Sequence, residues 1–404
     1  MKRRKFDHEI LLLQGGGALG AYQAGVYEGL AEAGMTPTWL VGISIGAVNS
    51  ALIAGNAPNR RMERLRTFWD RVSQHATFEP LAWLEPLRPM LGRMSIATVA
   101  TFGIPGFFKP RDLLPDLAPS GSLEAQSYYD TAPLKSTLEE LVDFDLINRR
   151  EVRLSLGAVN VRSGESVYFD NHKTRIGPEH VMASGALPPG FPAVLIDGQH
   201  YWDGGIVSNS PLTYVWDEKP LRTALIVQVN LFNAQGEFPR TMDEALERVK
   251  DIQFSSKQRL NNQRARELGE YRAALGRLLG KLPPDLKADV DARKLAGLCD
   301  DREWTVAHVN DRRPSHGGQA KDAEFSRATV NARWAGGLED IRRSVANIEW
   351  TQPQDIGPGV KVYFLPPLAM GGSADTGPAP MRVYPPPERS GDEPSNDTVH
   401  SHSA

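Results

Sequence analysis

The chain has 404 residues, of which 41% are hydrophobic and 24% are charged. These values are typical of a globular protein with a sizeable core, and they exclude a disordered chain or a fibrous repeat. Lysine and arginine number 46 against 49 aspartates and glutamates, so the chain lacks the basic excess of a nucleic-acid-binding protein. The single cysteine, Cys299, excludes an internal disulfide framework and favours a reducing compartment such as the cytoplasm.

The first elements alternate strand and helix. Residues 8–13 predict a strand, which runs into the glycine-rich stretch 15–20, and a helix follows as far as Gly34. Residues 39–43 predict a second strand and residues 45–54 a second helix. This alternation predicts an α/β fold with a mostly parallel central sheet.

Two features near the amino terminus have alternative interpretations. The basic residues 2–5 precede an apolar stretch that is too short for a secretory signal. Residues 36–59 carry no charge over a length that could span a bilayer. Their glycine, proline, serine and asparagine content favours a buried strand, a sharp turn and a buried helix over a membrane span.

Residues 73–130 interleave proline and aromatic residues with bulky aliphatic ones. We expect an insertion or lid over the core here, with ordinary secondary structure as the alternative. Its aromatic residues between Trp83 and Phe108 are expected to pack in the core or lid, although an acyl-chain site or a membrane surface is also compatible with them. Regular patterns resume with a helix at 134–142 and strands at 152–159, 166–169 and 221–230.

The residues beyond Phe232 predict an α-rich C-terminal region, 233–368, after a catalytic domain at 8–232. Thr241 and Glu244 form a capping box that opens a long helix ending before Pro283. The basic residues of this helix are interleaved with acids and predict a solvated face. A strand at 304–309 and a helix at 323–348 follow, and the composition of 369–404 predicts a disordered tail.

The sequence Gly42-Ile43-Ser44-Ile45-Gly46 lies between a predicted strand and a predicted helix. In that context the pattern G-x-S-x-G predicts a nucleophile elbow. Gly42 and Gly46 are needed because side chains would clash in so tight a turn. Ser44 is then exposed at the amino end of a helix, where the backbone favours developing negative charge.

The glycine loop, residues 15–20, permits two interpretations. It matches the dinucleotide pattern G-x-G-x-x-G, but that site also needs an acidic residue at the end of the second strand, where Ser44 stands instead. The alternative is an oxyanion hole formed by bare backbone amides at Gly15, Gly16, Gly17 and Gly20. We favour the oxyanion hole; a purely structural turn is a minor third option.

A nucleophilic serine needs a base, and none of the nine histidines occupies the place expected in an ordinary α/β-hydrolase. The candidate is Asp203, followed by Gly204 and Gly205, which permit close approach of the backbone. Taken alone, Asp-Gly-Gly is more often a surface turn. If Asp203 is not the base, His200 and His172 are the next candidates.

These motifs together resemble the patatin-like phospholipase family. The glycine loop, the elbow and the Asp203 motif follow one another in that family's order, and the stretches 183–188 and 209–212 also resemble its signatures. Residues 245–365 resemble a domain of unknown function that follows the core in some bacterial members. The resemblance implies a three-layer α/β/α core and a lipid or other ester as substrate.

The resemblance also implies a Ser–Asp dyad that needs neither histidine, metal nor organic cofactor. Ser44 would form the acyl-enzyme, Asp203 would accept its proton and later activate water, and amides near Gly16 and Gly17 would hold the oxyanion. Leu19 departs from the pattern, because many members carry Arg or Lys in the glycine loop. The implied protein is a cytoplasmic lipid acyl hydrolase, with peripheral membrane contact possible; a non-catalytic scaffold and a nucleotide-dependent oxidoreductase are the alternatives.

Overall fold

The computed structural model describes residues 6–73, 88–218, 223–299, 303–313, 318–346, 348–352 and 359–365. The strands in chain order are His8–Leu13 (β1), Trp39–Ile43 (β2), Lys109–Pro110 (β3), Tyr129–Asp130 (β4), Arg153–Asn160 (β5), Ser166–Asp170 (β6), Val194–Ile196 (β7), Gln199–Asp203 (β8), Thr223–Asn230 (β9), Glu303–Asn310 (β10) and Gly359–Leu365 (β11). The α-helices are Ala21–Glu32 (α1), Ile45–Ala54 (α2), Arg61–Val72 (α3), Arg88–Phe102 (α4), Ala132–Leu141 (α5), Phe144–Asn148 (α6), Pro178–Ser184 (α7), Leu212–Asp217 (α8), Met242–Gly280 (α9), Pro284–Lys287 (α10), Val290–Ala296 (α11), Arg327–Val345 (α12) and Ile348–Thr351 (α13).

Nine of these strands form one sheet in the order β11-β10-β9-β1-β2-β5-β8-β7, with β6 also paired to β5. The six strands from β11 to β5 are parallel, whereas β6, β7 and β8 join antiparallel at one side. The chain moves from β1 to β2 on one side and returns to β9 on the other. The loops after β1 and β2 therefore lie side by side at the carboxyl edge, where open α/β sheets bind ligands.

Helices cover both faces of the sheet, which confirms the α/β fold class. On one face, Leu11 and Leu13 of β1 pack in a cluster with α1, α2 and α12. On the other, Ile10 and Leu12 pack with α8 and with Trp304 of β10. Alternate residues of a buried strand face opposite layers, so β1 is apolar throughout.

Strands β1 and β2 and helix α2 have the bounds that the sequence predicts. The uncharged stretch 36–59 contains β2, the elbow and α2, and among the described residues no helix is long and apolar enough to cross a membrane. Helix α3 and strand β11 were not predicted. The strand predicted from 221 begins at Thr223, because residues 219–222 lie outside the described ranges.

The region 73–130 is more regular than an irregular insertion. It contains α4 and the β3–β4 ladder, and Phe107 and Phe108 pack with Tyr129, Phe191 and Phe325 in an aromatic cluster. This packing supports the core interpretation for these two phenylalanines. Phe78 and Trp83 lie outside the described residues.

The boundary expected between residues 232 and 233 does not divide the structure. Strands β10 and β11 continue the sheet from β9, and α12 packs against α1. The two helices approach so closely that a side chain at Gly25 or Gly337 would overlap the backbone of the other helix. The α-rich C-terminal region is thus part of the same layered fold, and the tail predicted at 369–404 lies outside the described residues.

Candidate active site

Ser44 lies in a strained turn between β2 and α2. Its φ of 55° and ψ of −125° place it in a region that non-glycine residues rarely occupy, which is typical of functional positions. A side chain at Gly42 would overlap the backbone of Gly46, and one at Gly46 would overlap the carbonyl of Leu13 at the end of β1. The two glycines therefore permit the turn and seat it against the neighbouring strand.

Asp203 ends β8 opposite Ala158, near the carboxyl end of β5. Only 2% of its surface is exposed, and its carboxylate accepts a hydrogen bond of 2.7 Å from the Gly205 amide. Burial raises the pKa of Asp203 to about 6, although hydrogen bonds from the Ser44 hydroxyl and the Gly205 amide partly oppose the rise. The structure thus brings Ser44 and Asp203 together from positions 159 residues apart in the chain.

Ser184, at the end of α7, holds the elbow from the side. The Ser44 amide lies 3.1 Å from both the carbonyl and the hydroxyl oxygen of Ser184, and that hydroxyl donates to the carbonyl of Gly157 in β5 at 2.6 Å. Two residues later, the carbonyl of Ala186 accepts a hydrogen bond from the Asp203 amide at 3.0 Å. One segment therefore fixes the backbones of both candidate catalytic residues, and sequence reasoning assigned it no role.

Asn209 clamps the glycine loop at Gly15. Its side-chain oxygen accepts from the Gly15 amide at 2.8 Å, and its side-chain nitrogen donates to the Gly15 carbonyl at 3.1 Å. A side chain at Gly15 would come within 2.8 Å of both Asn209 and the Cβ of Ser44. The Gly15 amide is thus committed to Asn209, which removes it from the predicted oxyanion donors.

Gly16 and Gly17 are the remaining candidates in the loop. Within the described ranges, neither amide has a hydrogen-bond partner, and the same holds for Ile45 at the start of α2. Gly17 has a φ of 53°, which only glycine adopts easily. Gly20 has a packing role instead, since a side chain there would lie 2.7 Å from Ile45.

The acid loop is also closely packed. A side chain at Gly204 would lie 2.6 Å from the carbonyl of Gly157. The other base candidates, His172 and His200, are exposed. Among the described residues, no three histidine, cysteine, aspartate or glutamate side chains converge as a metal site requires.

Two family models match the chain. The family model for patatin-like phospholipase matches residues 11–216, just over half of the chain, and a second model, described as patatin phospholipase, matches residues 252–356. No curated protein sequence gives a significant match.

Two solved structures are similar at low identity. VipD from Legionella pneumophila is 14% identical, with 82% of this chain and 67% of that chain covered and a TM-score of 0.35. Full-length ExoU from Pseudomonas aeruginosa, solved with SpcU, is 16% identical, with 85% and 79% covered and a TM-score of 0.26. The match to the patatin-like model spans β1, the glycine loop, the elbow and Asp203. The chain therefore belongs to the patatin-like phospholipase family of lipid hydrolases.

Proposed function

We propose that the protein is a serine acyl hydrolase that cleaves carboxylic esters of phospholipids, lysophospholipids or neutral lipids. The observation that carries the proposal is the pairing of Ser44, held in a strained turn at a helix start, with the buried carboxylate of Asp203. A pKa of about 6 leaves Asp203 mostly ionised at neutral pH. It is then a stronger base than an ordinary aspartate, and it needs no histidine to accept the serine proton.

In the acylation step, the Ser44 oxygen attacks the ester carbonyl while its proton passes to Asp203. The carbonyl oxygen becomes an oxyanion, for which the amides of Gly16, Gly17 and Ile45 are the available donors. The tetrahedral intermediate collapses when the bond to the leaving alcohol breaks and Asp203 returns the proton to that alcohol. The product is an ester between the acyl group and Ser44.

In deacylation, water attacks the acyl carbonyl and gives a proton to Asp203. Breakdown of the second intermediate returns that proton to the Ser44 oxygen and releases the fatty acid. The same carboxylate therefore acts as base and then as acid in each half of the reaction. Neither a metal nor an organic cofactor takes part in these steps.

The test is hydrolysis of p-nitrophenyl butyrate and palmitate by wild type, Ser44→Ala and Asp203→Asn. We expect each substitution to lower kcat by about a thousandfold or more, the scale seen when one member of a catalytic unit is removed. His200→Ala is the control and should retain activity, because His200 is exposed. Retained activity in Asp203→Asn with loss in His200→Ala would contradict the assignment of the base.

Peripheral contact with a lipid surface is part of the proposal. Five exposed apolar side chains, which we call the apolar rim, lie on segments near the acid in the hydrogen-bond network: Leu114, Leu117, Leu123, Tyr128 and Leu187. Backbone hydrogen bonds connect the rim to Asp203. The Tyr128 amide donates to the carbonyl of Pro189, and the Asp203 amide donates to the carbonyl of Ala186, which precedes Leu187. Residues 109–130 include two basic and four acidic residues, so apolar insertion rather than attraction to anionic lipid would drive this contact.

A further inference from the structure

A short turn from the C-terminal region, Gly318–Ala323 (the 318–323 turn), is attached to one face of α9. The ammonium group of Lys321 lies 3.1 Å from Glu247 and 2.6 Å from Asp251, and its side chain is only 8% exposed. Lys250 of the same helix pairs with Asp322 at 2.5 Å and donates to the Gln319 carbonyl at 3.1 Å. Residues spaced three and four apart share a helix face, so this face of α9 carries complementary charges for the turn.

The 318–323 turn also packs closely against the glycine loop. A side chain at Gly17 would overlap the carbonyl oxygen of Asp322, the residue that follows Lys321. Such close backbone approach, together with the positive φ of Gly17, leaves the loop little freedom to shift on that side.

The two residues that follow β9 pack against the glycine loop from another direction. A side chain at Gly16 would lie 2.9 Å from Leu231 and 3.3 Å from Phe232. Phe232 in turn stacks on Phe254 of α9 at 5.0 Å, and the Lys321 ammonium group lies 5.6 Å from the centre of its ring. Lys321 therefore belongs to the turn that packs against Gly17, and its side chain contacts both the α9 carboxylates and the aromatic ring next to Gly16.

From this arrangement we infer that Lys321 is a positioning residue for the proposed oxyanion donors. By neutralising Glu247 and Asp251 it holds the 318–323 turn on α9, and the turn holds Gly17 so that the amides of Gly16 and Gly17 face the reacting carbonyl. The inference rests on the proposed function and gives the C-terminal region a part in the reaction. Lys321 itself touches neither substrate nor Ser44 in this scheme.

The charged partners make the contact sensitive to substitution. Replacing this buried lysine with an uncharged residue removes a salt-bridge partner from both Glu247 and Asp251. The turn would then rearrange and displace the amides of Gly16 and Gly17. Displaced amides stabilise the oxyanion poorly, because the effect depends on N–H groups that point at the oxyanion. Binding of the uncharged ester depends less on them, so the loss is expected in the transition state rather than in the ground state.

The test uses Lys321→Met in the full-length chain. We expect kcat for p-nitrophenyl butyrate to fall by about tenfold or more, with KM changed less than twofold, because a misplaced donor forfeits part of the hundredfold or greater effect of a lost one. A long-chain trifluoromethyl ketone, which adds to the serine as a charged hemiketal, should lose affinity in step with kcat/KM. An unreactive ether of the same length should bind as it does to wild type, and Lys321→Arg should restore part of kcat.

Arg153→Met is the matched control. Arg153 also pairs with two carboxylates, Asp170 and Glu218, each at 2.8 Å, but it begins β5 at the sheet edge opposite Ser44. It should lower the melting temperature without the selective loss of hemiketal affinity. An equal selective loss in this control would overturn the inference, because the effect would then reflect stability alone.

Two further results separate the possible failures. Unchanged kcat and hemiketal affinity in a folded Lys321→Met would overturn the role of Lys321 while leaving the dyad intact, provided that Ser44→Ala is inactive. Full activity of Ser44→Ala would overturn the proposed function itself. If Lys321→Met does not fold, a triple variant (Lys321→Gln, Glu247→Gln, Asp251→Asn) removes all three charges together, and the same selective loss of hemiketal affinity is expected from it.

Discussion

Asp203 combines two properties that rarely occur together in an aspartate. It is almost fully buried, and among the described residues the contacts that favour its charged form are hydrogen bonds from the Gly205 amide and the Ser44 hydroxyl. Burial disfavours the charged form and raises its pKa, whereas these hydrogen bonds limit the rise. The balance near 6 gives a base that is ionised at neutral pH yet strong enough to take a proton from serine.

This pKa predicts the pH dependence of the reaction. Because Asp203 must be deprotonated to accept the Ser44 proton, kcat/KM should be low in acid and rise through an apparent pKa of about 6 to a plateau. The measurement is kcat/KM for p-nitrophenyl butyrate between pH 4 and 8, with enzyme stability checked at each pH. A rise centred near 4, the usual value for aspartate, would contradict a base in this environment.

Among the residues of the candidate site, the sequence predicts those that belong to a short, continuous motif. Ser44 and its two glycines are recognisable because the turn needs them within five positions. Ser184 and Asn209 lie in stretches that resemble family signatures, but their roles could not be predicted, because they depend on hydrogen bonds across 140 and 194 residues. The hydrogen bond from the Gly15 amide to Asn209 likewise cannot be predicted from a glycine-rich motif.

Among the elements, β1, β2 and α2 are predicted at their observed bounds because each has a clear apolar pattern and a glycine-rich boundary. The bounds of α9 are close to prediction, because Thr241 marks its start. Helix α12 was predicted over 323–348 but begins at Arg327, after the Ser326 cap, which the prediction did not use. Strand β11 was missed. Its neighbour in the sheet is β10, more than 45 residues earlier in the chain, and pairing over that distance leaves no local signal.

The function of the C-terminal elements was also the hardest to predict from the sequence. The composition of α9 indicates a solvated helix with mixed charges, and much of its surface is indeed exposed. Yet Glu247, Lys250 and Asp251 on one face bind the 318–323 turn. A charge pattern in sequence cannot distinguish these partly buried pairs from exposed ones, because the difference lies in what packs over them.

In the whole molecule, the carboxyl edge of a single sheet collects every part of the candidate site. The glycine loop follows β1, the elbow follows β2, and Asp203 enters from β8 opposite the end of β5. No exposed large hydrophobic side chain occurs in the described residues 6–73, whereas eight occur in the described part of 88–128 and eleven in the described part of 238–298. The exposed apolar surface is therefore divided between the segment that carries most of the rim and the C-terminal region.

The exposed leucines of the rim predict how the protein contacts a lipid surface. Leu114→Ser combined with Leu117→Ser should weaken binding to phosphatidylcholine vesicles by about tenfold or more, since two leucines lose their transfer into lipid. Turnover of soluble p-nitrophenyl butyrate should remain near that of wild type. Co-sedimentation with vesicles measures the first quantity, with inactive Ser44→Ala as the background so that the lipid is not consumed.

The control for the rim is Leu278→Ser, on the distal part of α9, where the side chain is 60% exposed. It should leave vesicle binding unchanged. Equal loss in the control, or unaltered binding by the rim variant, would contradict a lipid contact at the rim. A change of oligomeric state in the rim variant, measured by light scattering, would instead identify the rim as a contact between copies of the chain.

The most direct test of the central claim is to locate the nucleophile by mass. Wild-type protein is treated with a fluorophosphonate, which reacts with activated serines, and the labelled peptide is sequenced. We expect one adduct, on Ser44, and labelling of Asp203→Asn slower by about a hundredfold or more, because the serine loses its base. An adduct on another serine, or equally fast labelling of Ser44 without the Asp203 carboxylate, would contradict the Ser44–Asp203 mechanism.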